Sequence, residues 1–467
     1  MPVSTIGFNA TITGVISAPV VPSLVYDTRH YTSVTLTPNS TTSYSISATT
    51  RDGFPGGQFG SPITFRVCQD AACNTPYAGA SAAHRVSANV TFRPWTTLQR
   101  NASHTGAVNV SVDPSKIAKA WEWTTPDFSF FFNYVIPVNG SAYLSTSAKI
   151  YSLSEATGLQ NWAHTPPSPL YANGLGGLTY DNGTVYAPVM YSPPTSVFTG
   201  EAYLRGFDAV TGAPTSAAQF HSQGGPFSSP TVYDGIMFYS EGYFGNQVYR
   251  YEPMATTWTW RKDIASGRNP DQSPVVTDKY VYHATGAGVS ILNKSDGSLV
   301  ADTGPPVGSG GGGNTSPVLT QSGHVIAFDG FDGFRMLLLD GENASVIWRG
   351  DIQQGAQPVV ARGVIYNWFY SAGRYSLRAM NEANGAVLWS WPQPAGETDV
   401  QNNMIICDNV IFVSTPKNTY AIDLATHQTV WTVATGGKLS LSSNLVLYVV
   451  QSDFGAQTKV TAYKLEG

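Results

Sequence analysis

Two cysteines are the first residues in this sequence whose types and spacing could do chemistry. Cys68 and Cys73 lie in CQDAAC, directly after the strand-like run ITFRV. A disulfide that closes a small loop is the preferred interpretation, with two free thiols as the alternative. A zinc site would need further ligands nearby, and the sequence offers none there. Cys407 lies in the apolar run MIICDNVIF and is expected to be a buried thiol.

Acidic and histidine side chains also fall in patterns that can serve as functional sites. Asp329, Asp332 and Asp340 lie in DGFDGFRMLLLDG, where carboxylates could bind a metal ion. Their spacing does not match a calcium loop, whose ligands alternate, so turn formation by Asp-Gly is favoured. His104 has no carboxylate in its own His-Thr-Gly motif, and a structural role is favoured over a catalytic one. No catalytic or metal-binding residue is therefore assigned.

The composition favours an all-β protein with many turns. Charged residues make up 12% of the 467 residues, whereas Gly, Ser, Thr, Asn and Pro are abundant. A net charge of −5 provides no positive surface for nucleic acid or for an anionic bilayer. No run of about 18 apolar residues occurs, so the sequence predicts no membrane-spanning helix.

A repeat of four short strands organises most of the chain, and it is clearest in residues 357–389. The predicted strands there are residues 357–360, 363–367, 376–381 and 386–389. Residues 368–375 are predicted to form a loop between the second and third strands. The first strand carries a Ser-Pro or Gln-Pro step, and successive prolines are 44, 43 and 41 residues apart. This interval is typical of a four-stranded propeller blade.

The later strands of each copy carry two further signals. The second strand follows steps such as Asn182-Gly183 and Asp234-Gly235, which readily adopt the positive φ angles of a hairpin turn. The fourth strand carries a tryptophan that is expected to pack between neighbouring blades and to bury about 150–250 Å². These tryptophans are Trp162, Trp260, Trp348, Trp389 and Trp431.

The number of copies predicts an eight-bladed ring, with seven blades as the alternative because the first copy is the most degenerate. Seven copies lie near residues 133–164, 175–220, 227–262, 271–302, 314–350, 355–391 and 400–433. An eighth copy supplies the three strands LSLSS, LVLYVV and KVTAYKL, and its missing outer strand is available at residues 119–123. Pairing these two parts of the chain would close the ring and leave no unpaired blade edge.

Residues 1–93 lack this repeat and alternate with a period near two, in short runs that end at Pro, Gly, Asn or Asp. They predict a small β-sandwich of about seven strands. The stretch TFRVCQDAACNTPYAGASAAHRVSANVTF resembles immunoglobulin-like modules of bacterial exported proteins, in which a cysteine pair brackets the end of one strand. We therefore divide the chain into an immunoglobulin-like sandwich at residues 1–93 and a propeller at residues 94–467.

The motif A-x-D-x-x-T-G-x-x-x-W is clearest in residues 420–431 and 377–389, and Trp95, Arg100 and His104 lie in the segment that leads into the repeat. Together these residues resemble the quinoprotein-like (PQQ-like) eight-bladed propellers. Dehydrogenases of that family hold a quinone between a Trp floor and an adjacent Cys-Cys disulfide. A calcium ion bound by Glu and Asn lies beside the quinone, and an Asp acts as base. This sequence has no adjacent cysteines, so the resemblance implies the fold, and no cofactor is predicted.

The loops between second and third strands are rich in aromatic residues among Gly, Ser and Asn. In a propeller these loops share one face with the connections between blades, and we call it the loop face. Exposed aromatic side chains there would form a recognition surface for a protein or a glycan, with packing inside the loops as the alternative. The candidate residues are Tyr191, Phe198, Tyr243, Phe244, Phe331, Phe334, Trp368, Tyr370 and Phe454.

The combined expectation is an exported, non-catalytic protein that binds or scaffolds a protein or glycan partner at the cell surface or in the envelope. The low charge, the cysteine pair and the aromatic loops motivate this hypothesis. The alternative is an enzyme, either a divergent quinone-dependent dehydrogenase or a polysaccharide-active propeller. An extracytoplasmic location is predicted, since a structural disulfide persists in an oxidising compartment.

Overall fold

A computed structural model describes most of the chain. It covers residues 5–12, 20–26, 31–50, 57–90, 94–129, 134–166, 171–192, 201–220, 228–240, 247–252, 256–264, 272–285, 288–303, 315–329, 335–352, 356–401, 403–452 and 455–465. These residues form β-strands and one short 3-10 turn, Pro114–Lys116, which confirms the all-β prediction. No helix in these ranges is long and apolar enough to cross a membrane. The chain forms two compact units. The N-terminal unit contains Met1–Arg93 and Val108–Ser111, and the C-terminal unit contains Pro94–Ala107 and Val112–Glu466.

The N-terminal unit is built from six described strands. They are β1 (Thr5–Thr11), β2 (Val21–Val25), β3 (Tyr31–Pro38), β4 (Ser43–Thr50), β5 (Gly57–Cys68) and β6 (Pro76–Val90). They form two antiparallel three-stranded sheets, ordered β1–β4–β3 and β2–β5–β6. Tyr44 and Ile46 of β4 pack with Phe65 and Val67 of β5, so one apolar cluster joins the two sheets. Alternate residues of β4 therefore face the core, in agreement with the period of two in the sequence.

The cysteine pair closes the loop between β5 and β6. Cys68 and Cys73 form a disulfide, which confirms the preferred interpretation of this pair. The Asp70 carboxylate accepts hydrogen bonds from the backbone N–H groups of Asn74 at 3.1 Å and Thr75 at 2.8 Å. These bonds hold the pKa of Asp70 below its usual value. The loop is thus ordered by a covalent bond and by a carboxylate, while Cys407 of the other unit is a buried free thiol.

The C-terminal unit contains eight consecutive antiparallel sheets in the described ranges, which we number sheet 1 to sheet 8. β7 (Ala118–Ser129) comes first in the chain and belongs to sheet 8. Sheet 1 contains β8 (Ile136–Val138), β9 (Ser141–Ser145), β10 (Ile150–Ser154) and β11 (Gln160–His164). Sheet 2 contains β12 (Tyr171–Leu175), β13 (Thr179–Asp181), β14 (Thr184–Ser192), β15 (Glu201–Asp208) and β16 (Pro214–Phe220).

The next three sheets have four strands each, in chain order. Sheet 3 contains β17 (Thr231–Tyr233), β18 (Ile236–Ser240), β19 (Gln247–Tyr251) and β20 (Trp260–Asp263). Sheet 4 contains β21 (Val275–Val276), β22 (Tyr280–Ala284), β23 (Val289–Asn293) and β24 (Leu299–Asp302). Sheet 5 contains β25 (Val318–Leu319), β26 (His324–Asp329), β27 (Arg335–Asp340) and β28 (Val346–Ile352).

The last three sheets repeat the same order. Sheet 6 contains β29 (Val359–Ala361), β30 (Val364–Ser371), β31 (Arg374–Asn381) and β32 (Val387–Pro392). Sheet 7 contains β33 (Ile405–Ile406), β34 (Val410–Ser414), β35 (Thr419–Asp423) and β36 (Thr429–Val433). Sheet 8 contains β37 (Lys438–Leu441), β38 (Val446–Gln451), β39 (Ala456–Lys464) and β7.

Sheet 8 combines strands from distant parts of the sequence. β39 pairs antiparallel with β7, so that Ala462 lies opposite Trp121 and Thr461 lies opposite Glu122. An apolar cluster that includes Trp121, Leu144 and Tyr448 joins sheet 8 to sheet 1. The last sheet of the unit therefore packs against the first.

Tryptophans of the fourth strands dock on the next sheet, as their recurrence in the sequence predicts. In three cases the indole N–H donates to a backbone carbonyl there. These pairs are Trp162 with Ala209 at 3.1 Å, Trp260 with Lys294 at 3.1 Å and Trp348 with Glu382 at 2.7 Å. Trp389 instead stacks on His427 of sheet 7, with ring centroids 4.5 Å apart. Each tryptophan thus fastens its own sheet to the sheet that follows.

The glycine of the turn between third and fourth strands makes room for the docked indole. Gly212 has φ +72°, and a Cβ atom there would lie 2.8 Å from Cδ2 of Trp162. Gly183 has φ +83°, but no heavy atom lies within 4 Å of its Cβ position. Gly183 therefore serves as a matched control for the backbone conformation without the indole contact.

We expect Gly212→Ala to lower the free energy of unfolding by about 2–3 kcal/mol and Gly183→Ala by about 1 kcal/mol. Both variants strain a positive φ angle, but only Gly212→Ala also displaces an indole ring. Urea unfolding of the two variants beside the parent protein measures the difference. Equal losses would contradict a packing role for Gly212.

The prediction of a loop at residues 368–375 is wrong, because most of these residues are paired in the β30–β31 hairpin. In the β30–β31 pair, Tyr370 lies opposite Tyr375 and Ser371 opposite Arg374. The turn itself is Ala372 with φ +51° and Gly373 with φ +80°. A two-residue hairpin turn of type I′ needs two positive φ angles, and alanine is rarely found in that conformation. The Ala-Gly step therefore gave no turn signal in the sequence.

Candidate functional site

Three of the nine aromatic residues predicted on the loop face lie in the described part of the chain. Tyr370 is 38% exposed, but Tyr191 and Trp368 are fully buried, so the structure contradicts an exposed position for these two. The reason is that both lie in regular strands, whose alternate side chains face a neighbouring sheet. The other six lie outside the described residues, namely Phe198, Tyr243, Phe244, Phe331, Phe334 and Phe454.

Trp368 belongs to the apolar core between sheets 6 and 7. Its ring lies 6.1 Å from that of Trp391, and it shares a cluster with Leu377 and Met404. A side chain in this position contributes to packing and cannot contact a partner. The candidate surface in sheet 6 therefore starts one residue later, at Phe369.

The tip of the β30–β31 hairpin, residues 369–375, presents aromatic and cationic side chains together. The ring centroids of Tyr370 and Tyr375 lie 4.8 Å apart. The Arg378 guanidinium lies over the Phe369 ring, with Cζ 3.3 Å from the centroid. Cross-strand pairing and the two-residue turn hold these groups in place, so little conformational entropy remains to be lost on binding.

Charged groups of both signs flank the hairpin tip. Arg374 is exposed next to the turn. The carboxylate of Asp351, which is 80% exposed, lies 3.8 Å from the Arg378 guanidinium. The tip can thus offer an exposed tyrosine and an exposed arginine to a partner, and both residue types are enriched in protein interfaces. Sequence reasoning identified Tyr370 but missed Phe369, Arg374 and Arg378.

A second aromatic–cation cluster lies in sheet 2. The Arg205 guanidinium lies 5.2 Å from the ring centroid of Tyr191 and 5.1 Å from that of Tyr203. The Tyr203 hydroxyl donates to Glu201 Oε2 at 2.8 Å, and this bond raises the pKa of Tyr203. Glu201, Tyr203 and Arg205 are alternate residues of β15, and this spacing was the available sequence signal for the cluster.

Residues 94–107, which we call the central segment, run along the first strands of the sheets. Its backbone carbonyls accept hydrogen bonds from backbone N–H groups in sheets 2, 4, 5, 6 and 7. The donors are Tyr180, Val276, Leu319, Val360 and Ile406. The Thr97 hydroxyl also donates to the carbonyl of Pro230, directly before β17 of sheet 3, at 2.6 Å. The central segment thus connects six consecutive sheets through nonlocal hydrogen bonds.

His104 of the central segment is fully buried and has a structural role. Its Nδ1 lies 3.0 Å from the Pro317 carbonyl and its Nε2 lies 3.3 Å from Thr231 Oγ1. A carbonyl only accepts, so Nδ1 carries the proton and Nε2 accepts from the threonine hydroxyl. Burial lowers the pKa of His104 to about 4, although the Pro317 bond opposes this shift. The neutral ring therefore bridges sheets 3 and 5.

The Ser-Pro and Gln-Pro steps form a polar belt that links four sheets. The Ser229 N–H donates to Ser273 Oγ at 3.0 Å, and the Ser273 N–H donates to Ser316 Oγ at 3.0 Å. The Ser316 N–H donates in turn to Gln357 Oε1 at 2.8 Å. All four residues are buried. The repeat therefore does more than space the blades, because each step satisfies a backbone donor of the preceding sheet.

Comparison with known proteins relates the chain to one protein family by sequence. The family model described as Outer membrane protein assembly factor BamB matches residues 302–445. The BamB of Bordetella pertussis is 28% identical over 202 residues, which cover 40% of this chain and 48% of the relative. The chain thus spans about half the length of this curated relative.

Solved structures show the same architecture. BamB from Moraxella catarrhalis has a TM-score of 0.57 at 14% identity, and the alignment covers 74% of this chain and 99% of BamB. The europium-containing methanol dehydrogenase has a TM-score of 0.62 at 11% identity, and the alignment covers 80% of this chain and 98% of the dehydrogenase. The quinohemoprotein alcohol dehydrogenase of Comamonas testosteroni has a TM-score of 0.60 at 12% identity, and the alignment covers 80% of this chain and 81% of that enzyme. The chain contains a PQQ-like β-propeller.

Two of the three aspartates that were considered as metal ligands have other partners in the structure. In the ranges that the structure describes, no group of three or more His, Cys, Asp or Glu side chains could hold a metal. The Asp340 carboxylate accepts turn N–H groups of Glu342 and Asn343 at 2.9 and 3.1 Å. Asp329 lies 3.7 Å from Arg349, and Asp332 lies outside the described residues. The sequence also lacks the adjacent cysteines of the quinone-dependent enzymes.

Proposed function

We propose that this chain is a non-catalytic binding or scaffolding protein of the cell envelope, located outside the cytoplasm, and that its partner is a protein. The matched relatives carry the name outer membrane protein assembly factor, and they share sequence with the propeller. The Cys68–Cys73 disulfide is consistent with an oxidising compartment. The observation that carries the proposal is the exposed aromatic and cationic hairpin tip of sheet 6.

The proposed architecture is an immunoglobulin-like sandwich at residues 1–93 followed by one closed, eight-bladed propeller at residues 94–467. The two three-stranded sheets around one core, with a disulfide at the end of β5, support the first part. Eight consecutive sheets and the cluster between sheet 8 and sheet 1 support the second. A closed ring gives the loop face a rigid base, because no blade is left without a neighbour on either side.

The proposed contact surface on the loop face is the hairpin tip around Tyr370. Tyrosine and arginine are enriched at the centres of protein interfaces, where they bury large areas at low entropic cost. Tyr370, Tyr375 and Arg374 provide this combination within one turn of chain. Because Trp368 lies in the core, its substitution would test stability and not recognition.

We expect Tyr370→Ala/Arg374→Ala to weaken binding of an envelope protein partner at least tenfold while the thermal unfolding midpoint stays unchanged. Both side chains are exposed, so their loss removes contacts without opening a cavity. The measurement is a pull-down from solubilised envelopes, followed by titration of the purified partner against the full chain. Val210→Ala is the matched control, because Val210 is 83% exposed on a turn between a third and a fourth strand.

Three outcomes of this experiment are informative. Equal affinity of the double variant and the parent would move the site away from the hairpin. A hit on a glycan array that the double variant loses would keep the site but replace the protein partner by a glycan. Loss of binding in the Val210→Ala variant as well would show that the assay does not report on the loop face.

A further inference from the structure

The Arg205 guanidinium lies in a wedge between two tyrosine rings of sheet 2. Its Cζ lies 5.2 Å from the ring centroid of Tyr191 and 5.1 Å from that of Tyr203, and both distances are within the range of a cation–π interaction. The planes of the two rings are inclined at 64° to each other, with centroids 6.0 Å apart. The rings hold the guanidinium in place, so little conformational entropy remains to be lost when a ligand binds.

Arg205 has no carboxylate partner among the residues that the structure describes, and its Nε is buried without a hydrogen bond. Other arginines of the same unit do have such partners. Arg250 pairs with Glu252 at 2.6 Å, and Arg362 pairs with Asp408 at 2.6 Å. Charged groups that leave water are normally paired, so a half-buried arginine without a carboxylate is a preformed site for an anion.

The sequence around this cluster explains why a carboxylate is missing. Between Glu155 and Glu201, Asp181 is the sole acidic residue. Asp181 belongs to β13, which pairs with the start of β14, whereas Tyr191 lies near the end of β14. Glu201 is exposed, and its Oε2 already accepts the Tyr203 hydroxyl at 2.8 Å. This part of the sequence therefore offers the guanidinium no further carboxylate.

The Tyr191 hydroxyl is a second donor without a partner. Tyr191 is fully buried, and its hydroxyl makes no hydrogen bond within the described ranges, although buried donors normally have a partner. Burial raises the pKa of Tyr191 to about 12, so the hydroxyl stays protonated at neutral pH and can donate. Tyr203 and Arg205 are half-buried and Glu201 is exposed, so the cluster is open to solvent at this side.

Geometry and charge favour an anion that is planar and carries a single negative charge. A carboxylate matches the guanidinium fork through two parallel hydrogen bonds. The Glu201 carboxylate, held by the Tyr203 hydroxyl, repels a dianion such as phosphate about twice as strongly as a monoanion. We propose that Arg205 and Tyr191 bind a carboxylate group of a ligand from outside the chain. This site lies in sheet 2 and does not rest on the hairpin tip of sheet 6 or on the function proposed for it.

The test titrates the full chain with benzoate and with its neutral analogue benzamide, and binding is measured by ligand-observed NMR. We expect benzoate to bind with a dissociation constant of about 1 mM, as two charge-assisted hydrogen bonds predict, and benzamide to bind at least tenfold more weakly. Arg205→Gln should weaken benzoate binding at least tenfold. Arg250→Lys is the matched control and should bind as the parent does, because Arg250 lies on the third strand of sheet 3 and already has a carboxylate partner.

Two milder variants keep the test valid if Arg205→Gln fails to fold. Arg205→Lys keeps a cation over the rings but loses the planar fork, and we expect it to bind benzoate about fivefold more weakly than the parent. Tyr191→Phe removes one hydroxyl without opening a cavity, and a loss of about fivefold is expected here as well. Urea midpoints equal to that of the parent confirm that each variant is folded.

A second titration identifies the source of the carboxylate. The probe is a blocked pentapeptide with one glutamate among alanines, and its glutamine counterpart is the neutral control. Tighter binding of the glutamate peptide than of benzoate, lost in Arg205→Gln, would assign the site to an acidic side chain of a protein. Binding of benzoate without binding of the peptide would assign it to a small carboxylic acid.

Three results would overturn the proposal. The first is equal benzoate affinity of the parent, Arg205→Gln and Tyr191→Phe. The second is tighter binding of phenyl phosphate than of benzoate, which would replace the carboxylate by a phosphate. The third is an equal loss of benzoate binding in Arg250→Lys and Arg205→Gln, which would show that binding follows the total charge of the protein and not this cluster.

Discussion

Replacing Trp121 by alanine is expected to lower the free energy of unfolding by about 3–5 kcal/mol. Trp121 is 8% exposed and lies in β7, the strand that completes sheet 8. Its indole N–H donates to the Glu155 carbonyl of sheet 1 at 2.7 Å, and its ring lies 5.8 Å from that of Tyr448. A Cβ atom on Gly158 would come within 2.6 Å of the ring, so the fit is close. The substitution therefore removes a hydrogen bond, opens a cavity and loosens the contact between the last sheet and the first.

Glu122→Gln is the matched control for this experiment. Glu122 is the next residue of β7 and pairs on the surface with Lys119 at 2.8 Å and Lys459 at 3.2 Å. Ion pairs on the surface contribute about 0–1 kcal/mol, so this change should cost little. Urea unfolding of both variants separates the docking of Trp121 from the pairing of its strand. Similar midpoints for the two variants would show that the contact between sheet 8 and sheet 1 contributes no special stability.

Acidification from pH 7.5 to pH 5.0 is expected to remove about 4 kcal/mol of stability through two buried histidines. Burial lowers the pKa of His104 and of His283 to about 4. In the unfolded chain both regain an ordinary pKa near 6.5, so the unfolded state takes up protons first as the pH falls. The contribution of the two neutral histidines to the free energy of unfolding is nearly complete above about pH 6.5 and is lost progressively as the pH falls from about 6.5 to about 4. Each histidine accounts for about 2 kcal/mol at pH 5.0.

His283→Leu isolates one of these contributions. His283 lies in β22 of sheet 4, and neither ring nitrogen has a hydrogen-bond partner among the residues that the structure describes. Leucine keeps the apolar contacts and cannot take up a proton. We expect this variant to lose about 2 kcal/mol less than the parent protein between the two pH values. The same loss in both proteins, measured by urea unfolding, would rule out a buried neutral histidine at this position.

The repeat could be recognised from sequence because its main signals are local. The Ser-Pro step, the Asn-Gly or Asp-Gly turn and the tryptophan of the fourth strand each depend on a few neighbouring residues. Trp162 and Trp348 dock as their positions predict. The disulfide between Cys68 and Cys73 was accessible for the same reason, since both cysteines flank one short loop.

The candidate site was less predictable because exposure depends on strand length and on neighbouring sheets. Trp368 and Tyr370 are two residues apart and look equivalent in the sequence. Trp368 lies in the core next to Trp391, whereas Tyr370, close to the hairpin turn, is 38% exposed. The Arg378–Phe369 contact depends on the register of β30 and β31, which the unusual Ala372-Gly373 turn obscured.

A structural role for His104 could be favoured from sequence, but the contacts of the central segment could not be predicted. His104 appeared there as an isolated histidine, and its partners Thr231 and Pro317 are 127 and 213 residues away. Hydrogen bonds of such separation leave no periodic trace in a single sequence. The same holds for the polar belt, in which Ser229 and Ser273 are 44 residues apart.

The pairing of β7 with β39 has a consequence for the time course of folding. Thr461 and Glu122, opposite each other in sheet 8, are 339 residues apart in the chain. Contacts over such separations form slowly, because closing a long loop costs entropy before any stabilising contact has formed. On the ribosome, sheets 1 to 7 emerge before the partner of β7 has been synthesised. Until then β7 exposes an unpaired edge and the indole of Trp121 lacks sheet 8, so this interval is when the chain is most exposed to misassembly and depends most on chaperones.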